Sequence, residues 1–352
     1  MEVKEGLARI NAGAIQEAKG PGTMGKGFYN PAQRINRDIT IMFLRYARPK
    51  LALDGFGATG IRGIRFSLEA GIKTVISEKD RKTSDMARKN VEMNGADCEV
   101  INDTFQAVSS RIPFDFIDVD PYGTPLPYID QAITSVRNNG YIALTATDLS
   151  SLTGSVASKT RLRYDAFIKK DVYMHEKGIR LLWGTVVRRA AQLESQVIPQ
   201  LSLWHSHFYR IIFRIKRGVK IAEDSLKLIG YIDLGAIFPG RYEDIREGPV
   251  WLGNLYSRDF LEKMEIPEFS ADRRKLSLYT ENFRYEDLSL LFLDTREISS
   301  FSGRQPLSLV KAEAILREMG IKESGRTNFS STGIKIGAPL GECLENVLKM
   351  GT

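Results

Sequence analysis

A chain of 352 residues is longer than one typical domain, and its 43% hydrophobic and 26% charged residues are the composition of a protein that buries a full core. No stretch approaches the ~18 uninterrupted apolar residues of a membrane span. The N-terminal MEVKEGLARINAG carries charges where a signal peptide has its apolar core, so a cytoplasmic location is expected, with no membrane involvement.

The predicted elements alternate from Leu51 onward. Leu51–Asp54 reads as a short buried strand and Ile61–Glu69 as a helix stopped by Gly71. Thr74–Ser77 is the next strand, and Thr83–Met93 is a polar helix closed by Asn94-Gly95. Cys98–Ile101 and Phe114–Val119 are strands, Leu126–Val136 a helix and Tyr141–Ala146 a fifth strand. This alternation predicts a parallel sheet covered on both faces. After a helix over Lys177–Leu193, Leu201–His205 and Tyr209–Lys216 are too close in sequence for a crossover and read as an antiparallel hairpin. An α/β fold whose mainly parallel sheet ends in such a hairpin is the Rossmann-like architecture of class I methyltransferases. From Arg217 the pattern breaks into Pro-Gly turns and short helices, of which Pro306–Met319 is the clearest. The expected division is a domain over 1–216 and a smaller α+β domain over 217–352.

Asp54-Gly55-Phe56-Gly57-Ala58-Thr59-Gly60 follows the first strand and opens the first helix. Glycines there let the backbone turn sharply and pass close to a ligand, with free N–H groups at the helix start. The motif suits NAD, FAD or S-adenosylmethionine alike. Glu78 closes the second strand, where an acid accepts from both ribose hydroxyls of a nucleoside, or is simply solvated. Asp103 stands either where a carboxylate meets an adenine amine or as a cap for the helix that follows.

Phe114-Asp115-Phe116-Ile117-Asp118-Val119-Asp120-Pro121-Tyr122-Gly123-Thr124-Pro125 ends the fourth strand at the carboxyl edge, where open α/β sheets bind ligands. Asp-Pro-Tyr has the form of the (Asp/Asn/Ser)-Pro-Pro-aromatic motif that serves exocyclic amines. Such an amine is a poor nucleophile because its lone pair is delocalised into the ring. The Asp120 carboxylate and the Pro121 carbonyl accept its two N–H bonds, drive the nitrogen towards a tetrahedral geometry and free the lone pair for in-line attack on a sulfonium methyl. Proline fixes the turn, and Tyr122 offers a face to an unstacked base.

With these residues in place the chain resembles the tRNA (guanine-N2)-dimethyltransferases that act on guanosine 26, in their archaeal form. The resemblance runs from about Phe28 to Pro339. It rests on Phe28-Tyr29-Asn30-Pro31, Asn36-Arg37-Asp38, Ala58-Thr59-Gly60-Ile61-Arg62-Gly63, Asp118-Val119-Asp120-Pro121, Thr145-Ala146-Thr147-Asp148, Gly248-Pro249-Val250-Trp251-Leu252-Gly253 and Arg326-Thr327-Asn328-Phe329-Ser330. It implies an S-adenosylmethionine pocket lined by Arg37, Arg62, Glu78, Asp103 and Thr104, beside Asp54, Gly55 and Gly57 of the glycine turn. It further implies Asp120 as the catalytic carboxylate, Phe28 and Tyr122 holding the guanine, and one or two methyl transfers per tRNA. The chain departs from the family in Tyr122, usually phenylalanine, and in Glu78, often aspartate. The cysteine cluster of the eukaryotic branch is missing, so no zinc is expected. The C-terminal domain is then a tRNA-binding appendage, with Arg326, Phe329 and Lys335 as candidate RNA contacts; no protein partner is implied.

The remaining features bear on the partner and on rival readings. The net charge of +7 is uneven: between Val156 and Gly218, 13 Lys or Arg stand against 4 Asp or Glu, with Tyr164, Phe167, Tyr173 and Trp183 interleaved, a pattern suited to nucleic acid. Ser150–Ser158 reads as a flexible gating loop. Cys98 and Cys343 form no CxxC pair and are expected as free thiols. His205 and His207 share a strand face but lack further metal ligands. The rivals are methylation of another RNA or DNA base, a nicotinamide-dependent oxidoreductase, for which no hydride-transfer His or Tyr-Lys pair stands out, and a catalytically dead RNA-binding protein, against which the intact Asp120 and glycine loop argue.

Overall fold

The computed structural model describes residues 1–15, 28–270, 272–303, 305 and 307–350. The chain forms two compact units: Met1–Asp148 with Val186–Leu226 and Ser257–Ser277, and Leu149–Thr185 with Lys227–Tyr256 and Leu278–Thr352. This is not the single cut at 216/217 expected above. Leu149–Thr185 belongs with the later elements, and Ser257–Ser277 with the earlier ones. One crossing falls inside the unbroken helix Met174–Gln192, where no Gly-Pro punctuation marks it.

In the first unit a seven-stranded sheet has the spatial order Ser195–His205, Phe208–Arg217, Val136–Ala146, Phe114–Val119, Leu51–Asp54, Lys73–Ser77, Cys98–Ile101. The strands from Leu51–Asp54 to Val136–Ala146 pair in parallel, and Phe208–Arg217 pairs antiparallel to both of its neighbours. The predicted mainly parallel sheet with a terminal hairpin is therefore the fold. Ala52, Leu53, Phe116, Ile117, Ile142, Ala143 and Leu144 are all fully buried, which is why these strands read as continuous apolar runs rather than alternating ones. Helices Ile61–Ala70 and Arg81–Asn94 match expectation to within two residues at each end. The stretch Leu126–Val136 is a 3-10 turn, Leu126–Tyr128, followed by the helix Ile129–Ser135, and the fifth strand starts early, at Val136.

Two of the elements that escaped the sequence reading lie ahead of Leu51. Glu2–Glu5 and Ala8–Asn11 form a hairpin whose Val3, Ala8 and Ile10 pack with Tyr29, Ile61, Ile64 and Ile76. Its signal was available, since two short runs of period 2 flank Gly6, at φ +59°. Helix Arg34–Ala47 also carried a signal, since Ile35, Ile39, Met42 and Tyr46 recur at helical spacing on a stripe separate from Arg34, Arg37, Asp38 and Arg45; its polar Asn36, Arg37, Asp38 and Thr40 are nonetheless buried.

The second unit is α+β. It holds the antiparallel pair Ile229–Asp233/Arg246–Trp251 and a three-stranded sheet of Leu293–Asp294, Gly333–Ile336 and Ser324–Arg326, with helices Thr295–Ser302, Leu309–Glu318 and Leu340–Met350. The expected helix over Pro306–Met319 is Leu309–Glu318; Pro306 lies outside the described residues. Ser150–Ser158 is not a loop, because helices Leu149–Leu152 and Ala157–Tyr164 occupy most of it and Ser151 and Leu152 are fully buried. The basic stretch is not one face either. Tyr164, Tyr173, Trp183, Lys177, Arg180 and Arg210 are all buried, whereas Lys159, Arg161, Arg163, Lys169 and Lys170 remain exposed. Cys98 and Cys343 are free thiols. Among the described residues no helix is long and apolar enough to cross a membrane.

Candidate active site

At the carboxyl edge of the parallel strands the first unit encloses a cavity of about 700 Å³. Its wall collects Phe28, Arg37, Gly55, Gly57, Arg62, Glu78, Asp103, Thr104, Asp120, Pro121 and Tyr122, every catalytic and cofactor candidate from the sequence but one. The exception is Asp54. It is 1% exposed, and it accepts from Gly63 N at 3.0 Å, so it braces the start of the first helix from beneath the glycine turn. Burial pushes its carboxyl up to about 7, against the pull of Arg62.

The glycine turn is dictated by close packing. A Cβ on Gly57 would lie 2.2 Å from Ile76 Cγ2, and one on Gly55 would lie 2.6 Å from the Phe105 ring. Gly55 N donates to Asp118 O at 3.0 Å and Gly57 N to Ser77 O at 2.9 Å, so the turn is tied to both neighbouring strands. Glu78 accepts from Ala58 N at 3.0 Å and from Asp80 N at 2.8 Å. A carboxylate has roughly four acceptor sites, which leaves room for a diol. The capping role open to Asp103 falls instead to Thr104, whose hydroxyl accepts from Ala107 N. Asp103 pairs with Arg111 at 2.8 Å on the cavity rim.

Sequence reasoning missed the aromatic part of this wall. Phe56 and Phe105 stack at 5.6 Å with their planes 19° apart, and Tyr128 meets both edge-on at 4.8 and 5.8 Å. Only the positions of Phe56 and Phe105, next to Gly55 and Thr104, hinted at a role. Carboxylates at one side, a flat apolar wall and a tight glycine turn together fit a nucleoside, and the acidic rim suits one carrying a sulfonium charge.

Asp120 ends the fourth strand with its side chain 18% exposed and ion-paired through Oδ2 to the buried Arg62. Arg62 also donates to Asn36 Oδ1 at 3.1 Å and lies 3.4 Å from Asp118, which is held in turn by Arg210. Arg37 is likewise committed on one side: its Nε and Nη2 bind Glu5 at 2.6 Å. Burial raises the Glu5 carboxyl, but Arg37 and Arg65 outweigh that and hold it at about 2. The Asp-Pro-Tyr-Gly loop is pinned by Thr147, whose hydroxyl accepts from Gly123 N at 2.9 Å and whose N–H donates to Gly123 O at 2.8 Å. The rings of Phe28 and Tyr122 stand 6.0 Å apart with their planes at 52°. Stacking a base on both faces takes ~7 Å between parallel rings, twice the ~3.5 Å contact distance, so a modest opening and rotation admits one. Burial, then the charges of Asp120 and Glu78, push the Tyr122 hydroxyl up to about 12, so this ring stays neutral.

The expected RNA contacts fare differently. Arg326 has its side chain 49% exposed, near Glu313. Phe329 is 1% exposed and Lys335 0%, so neither reaches RNA; Lys335 bonds both oxygens of Glu176 at 2.9 and 2.8 Å inside the second unit. Among the described residues no group of His, Cys, Asp or Glu is arranged to hold a metal.

Residues 22–349 match the family described as N2,N2-dimethylguanosine tRNA methyltransferase. A tRNA (guanine(26)-N(2))-dimethyltransferase of Thermoplasma volcanium is 42% identical over 98% of each chain. The Thermococcus kodakarensis protein of the same name is 34% identical over 98% of this chain and 99% of its own. The structure of Trm1 from Pyrococcus horikoshii in complex with S-adenosyl-L-methionine superposes with a TM-score of 0.83 at 28% identity, covering 98% of this chain and 99% of that one.

Proposed function

Since the chain belongs to the N2,N2-dimethylguanosine tRNA methyltransferase family, we propose that Asp120, Pro121, Phe28 and Tyr122 are the groups with which it handles its base. It is an S-adenosylmethionine-dependent tRNA (guanine(26)-N2)-dimethyltransferase. The observation that carries the residue assignment is the meeting of Asp120, the Phe28–Tyr122 pair, Glu78 and the glycine turn on the wall of one cavity.

Bound S-adenosylmethionine supplies an electrophilic sulfonium methyl. Glu78 receives its ribose, Asp103 its adenine amine, and Phe56, Phe105 and Tyr128 the adenine face. Arg37 and Arg62 form the positive side of the cavity, towards the amino-acid carboxylate. The guanine leaves the tRNA stack and lies between Phe28 and Tyr122. Arg62 occupies Oδ2 of Asp120, so Oδ1 accepts one amine N–H while the Pro121 carbonyl accepts the other. As the N–C bond forms, the sulfonium S–CH3 bond breaks with its electron pair left on the departing thioether; the nitrogen becomes cationic and strongly acidic, and its proton passes to the Asp120 carboxylate. Once Asp120 has passed its proton to solvent and a fresh methyl donor has replaced the spent one, a second round needs only the one remaining N–H, which Asp120 again accepts.

For the RNA itself, the exposed cations Lys159, Arg161, Lys170 and Arg326 of the second unit are the proposed phosphate contacts. The test of the site is Asp120→Ala assayed with labelled methyl donor and tRNA transcript, alongside S-adenosylmethionine binding. Cofactor binding should persist while incorporation vanishes; undiminished incorporation would refute the assignment.

A further inference from the structure

The hairpin Ser195–His205/Phe208–Arg217 turns on Ser206 and His207, with Ser206 in the left-handed region at φ +53°. Tyr209 pairs with Ala146, so this turn hangs over the carboxyl edge of the sheet beside Thr147, the residue that pins Gly123. His207 thereby joins the wall that holds Phe28, Asp120 and Tyr122. It is near enough to Asp120 for that carboxylate's charge to act on its ring. Its Nδ1 lies 3.4 Å from Ser206 Oγ. Its Nε2 has no hydrogen-bond partner among the described residues and is covered in this conformation, so a base reaches it only through the same opening that parts Phe28 from Tyr122. A polar atom in that state at a cavity wall calls for an explanation, and a ligand is one. Burial, opposed by Asp120, keeps the ring's pKa below the usual 6.5, so it is a neutral imidazole with one N–H and one lone pair.

We propose that His207 Nε2 is a specificity-determining contact to the Watson–Crick edge of the target guanine, accepting its N1–H. The inference rests on the assignment of the cavity to a flipped guanine. In that pose the two amine hydrogens go to Asp120 and the Pro121 carbonyl. N1–H lies next to the amine on the same edge, and a donor buried away from water needs an acceptor. Three other acceptors of the wall are engaged, Thr147 Oγ1 with Gly123 N, Asn30 Oδ1 with Ala32 N, and Gln33 Oε1 with Asn36 Nδ2, while the unpartnered Thr59 Oγ1 belongs to the glycine turn. With the ring proton on Nδ1, towards Ser206 Oγ, the Nε2 lone pair meets N1–H. A purine with a lone pair at N1 opposes it instead, which discriminates by leaving both atoms unpaired.

The experiment uses full-length enzyme and tRNA carrying guanosine or 2-aminopurine at position 26; 2-aminopurine keeps the exocyclic amine but lacks N1–H and O6. The unaltered enzyme should lose ~10–100-fold in kcat/KM on 2-aminopurine. His207→Ala should lose a similar factor on guanosine yet discriminate between the two bases by less than ~3-fold, the non-additivity expected of groups in contact. His207→Asn, which keeps an acceptor at the turn, should recover part of the loss, and KM for S-adenosylmethionine should not move. The proposal is overturned if His207→Ala methylates guanosine at the full rate, keeps the full 2-aminopurine penalty, or loses cofactor binding, which would mark the side chain as part of the cofactor wall. Failure of the unaltered enzyme on guanosine would instead sink the substrate assignment beneath it.

Discussion

Arg62 and Lys335 are both buried cations held by carboxylates, one in each unit, and they end in different places. Arg62 belongs to an alternating chain, Arg210–Asp118–Arg62–Asp120, whose last member sits at the cavity wall. Lys335 is bonded to Glu176 and to Ser289 O, and Arg180 also bonds Glu176, with every side chain of the cluster almost fully buried. A buried ion pair is weak evidence of net stabilisation in either place, because desolvation offsets most of the attraction. What separates the two is whether one carboxylate keeps an edge towards a ligand. In the first unit the network aims a reagent. In the second it fixes how strands and helices meet.

The sharpest way to break this contrast is a pair of variants. Asp120→Asn should lower methyl incorporation by ~10²–10⁴-fold while leaving thermal stability close to that of the parent, since the side chain lies at the cavity wall and keeps its shape. Lys335→Met should do the reverse. It leaves Glu176 with one cation fewer in an apolar interior, a loss of ~3–5 kcal/mol, read as a fall in the unfolding midpoint with kcat of the folded enzyme preserved. A Lys335→Met enzyme of normal midpoint and low kcat would erase the distinction.

Buried carboxyls of the two units also respond oppositely to pH, Glu5 of the Arg37–Arg65 cluster in the first and Glu286 of the Lys335 cluster in the second. Glu5, held at about 2 against an ordinary 4.5, contributes stability that is fully present above pH 4.5 and is lost as pH falls towards 2. Glu286, beside Lys335 and Glu176, is pushed up by burial to about 8; Lys335 opposes the shift and Glu176 adds to it. Between pH 4.5 and 8 the unfolded chain releases that proton and the folded chain keeps it, so this group makes stability fall as pH rises. Denaturant midpoints across pH should therefore show Glu5→Gln flattening the acid limb and Glu286→Gln flattening the limb from pH 4.5 to 8. A Glu286→Gln slope equal to the parent's would mean that this carboxyl is ionised in the fold. The smallest effect is expected on the surface. Lys159→Glu with Arg161→Glu should weaken tRNA binding several-fold and lower the salt slope by ~1 per lost phosphate contact, with kcat intact.

Much of the site could be read from the sequence because its constraints are local. Gly55 and Gly57 follow a strand, Glu78 ends the next one, and Asp120-Pro121-Tyr122 ends the fourth; each needs only its own neighbours to be recognised. The errors share a cause. Lys335 and Phe329 read as surface residues, and Tyr164, Tyr173 and Trp183 as aromatics among surface cations, because charge and aromaticity do not say which way a side chain faces. Asp54 looked like a cofactor ligand because it begins the glycine motif, yet its oxygen is spent on Gly63.

The residues by themselves determined the strand order in sequence, the glycine turn and the acid-proline-aromatic corner, since backbone sterics and hydrophobic period act within a few positions. Tertiary structure alone decided which charges are buried and what they hold. Glu176 and Lys335 are 159 residues apart, and Asp118 and Arg210 are 92 apart. It alone also carried His207, on a turn remote in sequence, to the wall beside Asp120. An ion pair or a cavity wall exists only where distant segments meet, and the free energy that places them there comes from burial of the whole core rather than from any one stretch of chain.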